Sequence, residues 1–302
     1  MAILLVVLIC PRAVHASGPP RVVASIPPLH SLVAGITAGI VEPYPLLRAG
    51  TSPHTYSLRP SDARALHAAT VVFLIDPSLE TFLGKPLASL GADTRVVILS
   101  RAAGIERLAV RRGDDWQGHD HQTAEHAHHA GFDPHLWLEP RNARAMVRTI
   151  AGVMVEIDPL RAASYRANAL ELEARLDDLD RELATVLAPV RAVPYAVFHD
   201  AYQYLERSYG LNAVAAVTLD PERRPGARRL REIRQRLSET GARCLFSEPQ
   251  FPPAVADTVT EGSSVRRGVL DPLGADLTAG PELYFRLMRN LAESLRDCLG
   301  EG

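Results

Sequence analysis

Five of the chain's eleven histidines, His119, His121, His126, His128 and His129, fall between Gly113 and Gly131, in a polar stretch without apolar periodicity. Such a stretch reads as a loop whose imidazoles take up a metal ion loosely. By itself it reads equally well as a solvated low-complexity segment. A sixth histidine follows in a different setting: His135 stands in Asp133-Pro134-His135-Leu136-Trp137, where proline and tryptophan restrict the ring. Two more lie far off in the chain. His54 sits in Ser52-Pro53-His54-Thr55-Tyr56, and His199-Asp200 follows the apolar run Tyr195-Ala196-Val197-Phe198. Asp271, before Pro272, follows Val269-Leu270 in the same way.

Ligands of open α/β sheets gather at the carboxyl ends of strands. His135, His199 and Asp271 lie just past an apolar strand or a domain junction, and His54 lies in the loop after the second strand. Two come from each half of the chain, so all four can face one cleft between the halves. Three neutral imidazoles with a carboxylate or a water suit Zn²⁺. Any one of these histidines alone reads as a cap or a packed ring. The coincidence of three, beside a His-rich segment, is what points to metal. His30 reads as local structure, and His67 lies on a helix face.

The elements that must position these residues follow from pattern. With 302 residues there is room for two domains, each with its own core. The composition, 47% apolar and 23% charged with net charge −2, is that of a globular protein and gives no basis for binding nucleic acid or an anionic membrane. The pairs Arg223-Arg224 and Arg228-Arg229 read as a solvated helix face. Residues 3–10 form an apolar run too short to span a bilayer, followed by small residues at Val14 and Ala16. That is the pattern of a secretory signal over residues 1–16, so export is expected, without insertion of the mature chain in the membrane. Leu8 and Ile9 argue against a lipid-anchored Cys10. An exported chain that keeps only Cys244 and Cys298 most simply pairs them, closing a loop of about 54 residues worth ~3–4 kcal/mol. Two buried free thiols are the alternative.

Apolar runs at 21–25, 41–47, 71–75 and 95–99 read as strands. Helices are expected between them, one capped by Ser61 or Asp62 and another over 80–90. Candidate strands recur at 195–198, 213–217, 243–246 and 265–269. Strands alternating with helices predict parallel sheets with right-handed crossovers. Between the halves, Leu172, Leu176, Leu179, Leu183 and Leu187 draw one seam down a helix of roughly 28 residues, about 42 Å long. The expected fold is therefore α/β, with two lobes each carrying a parallel four-stranded sheet. A first lobe covers 17–140 with the His-rich loop 113–131, a long linking helix lies within 141–189, and a second lobe covers 190–302. Any metal site falls in the interdomain cleft.

The chain resembles the metal-binding solute receptors of bacterial ABC importers, and within them the zinc branch, the ZnuA-like proteins. The likeness covers essentially the whole mature chain. It rests on Pro53-His54-Thr55-Tyr56 with Arg59-Pro60-Ser61-Asp62, on Asp133-Pro134-His135-Leu136-Trp137-Leu138-Glu139-Pro140, on Phe198-His199-Asp200-Ala201-Tyr202, on Glu248-Pro249-Gln250 and on Asp271-Pro272-Leu273-Gly274. It implies two α/β lobes bridged by a long helix, with His54, His135 and His199 as direct ligands. It also implies zinc, because His199 stands where manganese-binding relatives carry a glutamate and imidazole favours Zn²⁺ over Mn²⁺. Some zinc receptors have an acidic residue before the first histidine, and here that residue is Pro53. The fourth ligand is then Asp271 or a water, with Asp271 preferred. The likeness further implies a disulfide between Cys244 and Cys298.

The function expected is periplasmic capture of Zn²⁺ for a membrane permease of an ABC importer. A monomer without catalytic residues is expected, the loop histidines serving as an auxiliary metal site. A manganese or iron receptor of the same fold is the alternative. An exported zinc hydrolase is a weaker one, since there is no His-Glu-x-x-His helix and no Gly-x-Ser-x-Gly elbow. Glu248 is its only candidate base.

Overall fold

The computed structural model describes residues 18–48, 50–111, 131–219 and 225–300. The expected signal segment, the five clustered histidines and Arg223-Arg224 lie outside the described residues.

The first lobe contains β1 (Val22–Ala24), α1 (Pro27–Ile36), β2 (Tyr44–Pro45), α2 (Pro60–Ala68), β3 (Val71–Leu74), α3 (Gly84–Ala88) and β4 (Arg95–Ile98). Its four strands are parallel in the order β2-β1-β3-β4. β3 is buried along its whole length, as its unbroken apolar run requires of a central parallel strand. The run at 41–47 shortens to two paired residues, because Pro43 and Pro45 lack the amide hydrogens a longer ladder needs. α2 is capped from inside: Asp62, at its third position, accepts from the backbone N of Arg59 at 2.8 Å. The helix expected over 80–90 is a single 3₁₀ turn leading into the short α3.

The second lobe repeats the arrangement. Two connecting helices, α4 (Pro140–Ile157) and α5 (Ala162–Leu187), lead into it, and it holds β5 (Tyr195–His199), α6 (Gln203–Tyr209), β6 (Ala213–Thr218), α7 (Ala227–Thr240), β7 (Cys244–Ser247), α8 (Ala254–Thr260), β8 (Arg266–Val269) and α9 (Leu283–Leu299). Its strands are parallel in the order β6-β5-β7-β8, the same permutation as in the first lobe. In each sheet the direction of winding reverses between the two central strands, which opens a crevice at their carboxyl ends.

The span 141–189 breaks at Asp158-Pro159 into two helices. Asp158 ends α4, and α5 begins four residues later and runs back alongside it. Arg144 with Asp177, and Arg148 with Glu173, tie the antiparallel pair. α5 buries Tyr165, Ala169, Leu172, Leu176, Leu179, Leu183 and Leu187, the predicted seam. Gly35 lets α1 come close to it, since a Cβ there would lie 3.0 Å from Leu172 Cδ2. One apolar core runs from α1 through α4 and α5 to β5 and α9, so both lobes close on a single hydrophobic mass. Cys244 and Cys298 are disulfide-bonded, with a Cα–Cα distance of 6.3 Å, tying β7 to α9.

Candidate metal centre

His199 is the last residue of β5 and lies at the crevice of the second sheet. His135 precedes a 3₁₀ turn, Leu136–Leu138, that feeds α4. That turn is pinned across the lobes, for Trp137 Nε1 donates to the Pro272 carbonyl at 2.8 Å and Tyr284 donates to the Trp137 carbonyl at 2.7 Å. His54 sits in the loop between β2 and α2. Tyr56 holds that loop to α2 by donating to Asp62 Oδ2 at 2.7 Å.

The three rings meet. Their centroids are 5.9 Å (His54–His135), 5.3 Å (His54–His199) and 5.0 Å (His135–His199) apart. One nitrogen from each lies within 4.8 Å of the other two, and among the described residues this is the metal-competent group of histidine, cysteine and carboxylate side chains. Nitrogens bound at about 2.0–2.1 Å to one tetrahedral zinc are roughly 3.3 Å apart, so closing on an ion takes movements of about an ångström. His135 and His199 are buried on fixed elements, and His54 is partly exposed.

The electrostatics favour neutral rings at His54 and an anionic backing elsewhere. Burial, with repulsion from His135 and His199 in their charged forms, brings His54 down to about 3. Burial also opposes charge on His199, but the neighbouring Glu248, Asp200 and Asp133 outweigh it and raise the ring above its ordinary value. Asp133 Oδ1 lies 2.7 Å from His135 Nδ1 and accepts from the His135 backbone N at 3.0 Å. An ionised carboxylate can only accept, so Nδ1 carries the proton and Nε2 keeps its lone pair for a metal.

Asp271, expected beside the histidines, is not part of the cluster. Its Oδ1 accepts from Gln250 Nε2 at 2.8 Å and from the backbone N of Leu273 and Gly274 at 3.0 Å, and its Oδ2 accepts from the Ala275 backbone N. The carboxylate closes the turn after β8 and lies outside the group of ligand atoms formed by the three rings. The acidic residue lining the pocket with His54, His135 and His199 is Glu248.

Two features escaped the sequence. Asp133 could have been found, since an Asp two residues before a histidine commonly bonds that residue's backbone N. The other is an ion triad across the lobes. Arg111 reaches Asp200 Oδ1 at 3.0 Å and also pairs with Glu206, all three side chains largely buried. Beside it Tyr204 accepts from the Leu108 backbone N and donates to the Asp133 carbonyl. Nothing in the local pattern marks these pairs, which join residues some ninety positions apart.

Twin parallel lobes on a shared helical core, with three imidazoles converging between them, define a two-lobed α/β binding protein. The model of the family described as zinc-uptake complex component A, periplasmic (ZnuA), matches residues 22–298, and the chain belongs to that family. A protein of Brucella suis named high-affinity zinc uptake system protein ZnuA is 43% identical over 306 residues, covering 93% of this chain and 92% of its own. Its namesake from Yersinia pestis is 37% identical over 290 residues, with 92% and 91% covered. Among solved structures, the periplasmic zinc-binding protein TroA of Treponema pallidum superposes with a TM-score of 0.80 over 94% of this chain and 100% of its own. At 22% identity that likeness shows the fold alone.

Proposed function

We propose that the chain is the zinc receptor of an ABC importer, capturing Zn²⁺ between its lobes through His54, His135 and His199 and delivering it to a membrane permease. The observation that carries this reading is the convergence of three imidazole nitrogens from separate elements within 4.8 Å. An all-nitrogen donor set suits Zn²⁺ better than Mn²⁺, which prefers carboxylate oxygen. Capture and release need no covalent step, and all three ligands come from one copy of the chain. With Asp271 occupied in its turn, the fourth position falls to a water.

Residues 1–16 serve as the export signal, and no helix among the described residues is long and apolar enough to cross a membrane. The lobes are assigned to 17–140 and 190–302, with α5 as the strut between them. His119, His121, His126, His128 and His129, which precede His135 in the sequence, are assigned an auxiliary metal-binding role. Metal analysis of the purified protein and zinc titration of the metal-stripped form test the proposal. One tightly held zinc per chain, lost when His54, His135 or His199 becomes alanine, supports it. Preference for Mn²⁺, or zinc retained in all three variants, overturns it.

A further inference from the structure

Glu248 follows β7 directly and stands across the crevice from His199 at the end of β5. Both side chains are 4% exposed, and Glu248 Oε1 lies 3.4 Å from His199 Nδ1. Neither atom makes a hydrogen bond within normal geometry, although both are fully buried. A buried carboxylate oxygen without a donor is costly, and so is a buried ring nitrogen without a partner. The first sheet shows how such a carboxylate is ordinarily satisfied. At its crevice, Glu80 is buried too, but its oxygens take Ser25 Oγ and the backbone N of Ile75 and Asp76. Paired with each other, the carboxylate oxygen and the ring nitrogen would satisfy both.

We propose that Glu248 is the positioning residue of His199: its Oε1 accepts the Nδ1 proton, turns Nε2 toward the ion, and closes from 3.4 Å to a full hydrogen bond as the ring moves onto the metal. The inference deepens the zinc-receptor reading and rests on it. It makes the two buried ligands alike, each backed by its own carboxylate, Asp133 behind His135 and Glu248 behind His199. It also accounts for the absence of Glu248 from the group of nitrogens that can share one ion: the carboxylate is behind the ring, not beside the metal. A negative charge behind an imidazole strengthens the nitrogen opposite as a donor and offsets the charge of a divalent ion entering a buried site.

The test uses the full exported chain, metal-stripped and then loaded with zinc, as wild type, Glu248→Gln and Glu248→Ala. Affinity is read by chelator competition, and the His199 tautomer by long-range ¹H–¹⁵N spectra of the apo and zinc-loaded forms. In the wild type, His199 is expected to carry its proton on Nδ1 in both forms. Glu248→Ala should weaken zinc about ten- to a hundred-fold and shift the apo ring toward the other tautomer. Glu248→Gln, whose carbonyl still accepts, should keep the Nδ1 proton and bind with intermediate affinity. Wild-type affinity in either variant overturns the proposal. So does weakened binding in Glu248→Ala with the tautomer unchanged, which would mean a packing role. If the alanine variant does not fold, the glutamine variant decides by its affinity. Failure of the wild type to bind zinc would sink the receptor reading instead, and the apo spectra would still judge Glu248.

Discussion

The rings of His54 and His199 stand edge to face, 88° between planes and 5.3 Å between centroids, although they come from opposite lobes. One is held by a loop, the other by the end of a buried strand. Any ion between them is gripped by both halves of the molecule, so release requires the loop of His54 or the seam between the lobes to yield.

Replacing either ring with alanine should therefore cost much in zinc affinity and unequally in stability. His54→Ala removes a ligand from a partly exposed loop, so affinity should fall roughly a hundredfold or more, about 2.7 kcal/mol, with little change in unfolding. His199→Ala should lose as much affinity and also destabilise the buried crevice. Asp271→Ala should do the reverse: zinc affinity stays near wild type, while the turn after β8 loses its acceptor and stability drops by about 1–3 kcal/mol. Titration calorimetry and urea unfolding separate these outcomes, and a large affinity loss in Asp271→Ala would restore it as a ligand.

Proton competition should enter through His199. Zinc binds the unprotonated ring, and in the free protein His199 is raised above 6.5 while His54 sits at about 3. Because His199 is raised, its proton should begin to compete above pH 6.5 and affinity should then drop about tenfold per unit as pH falls, while His54 should add no slope until pH nears 3. Dissociation constants measured between pH 5 and 8 check this. A slope of three protons per ion near pH 5.5 would contradict it, because His54 would have to be protonating there.

Glu80 offers a separate pH signature in stability. Burial, only partly offset by its three donors, pushes its carboxyl up to about 7 from an ordinary 4.5. The folded state holds that proton more tightly than the unfolded chain. Its contribution is therefore greatest below about pH 4.5 and is lost as pH climbs to about 7, a change on the order of 3 kcal/mol. Urea unfolding of metal-stripped protein at pH 5 and pH 8 should show this slope, and Glu80→Gln should flatten it.

The triad of Arg111 with Asp200 and Glu206 should be expensive to break. Burial already raises Asp200 to about 6 and Glu206 to about 7 despite the guanidinium beside them. Arg111→Ala leaves two buried carboxylates without their cation, a loss of about 3–5 kcal/mol. Faster zinc release in stopped-flow chelation should accompany it, because the triad joins the lobes one residue from His199. An unchanged unfolding midpoint would contradict the loss.

Reducing the Cys244–Cys298 bond should cost ~3–4 kcal/mol by freeing a 54-residue loop in the unfolded chain. Zinc affinity should be unaffected, since Cys244 opens β7 and Glu248 lies past the strand's far end. Unfolding and zinc titration with and without reductant test both halves of this statement.

The sequence by itself determined the lobes, their parallel strands, the α5 seam and the three histidines. Buried parallel strands show as unbroken apolar runs, a helix seam shows as a repeating step, and a histidine fixed between Pro134 and Trp137 or at the end of β5 is visible in its immediate neighbours. Tertiary structure decided the rest. Asp271 read as a ligand because its position was legible but its hydrogen bonds were not, and four donors brought in by the turn and by Gln250 hold it in the turn after β8, apart from the rings. The helices of 141–189 fold back as a pair because the apolar face of α4 needs a partner, and only the packed core says that the partner is α5. Glu248 behind His199, and Arg111 between Asp200 and Glu206, pair residues distant along the chain. Local pattern carries periodicity and turn chemistry, whereas which distant charge faces which ring is fixed only when the two sheets come together.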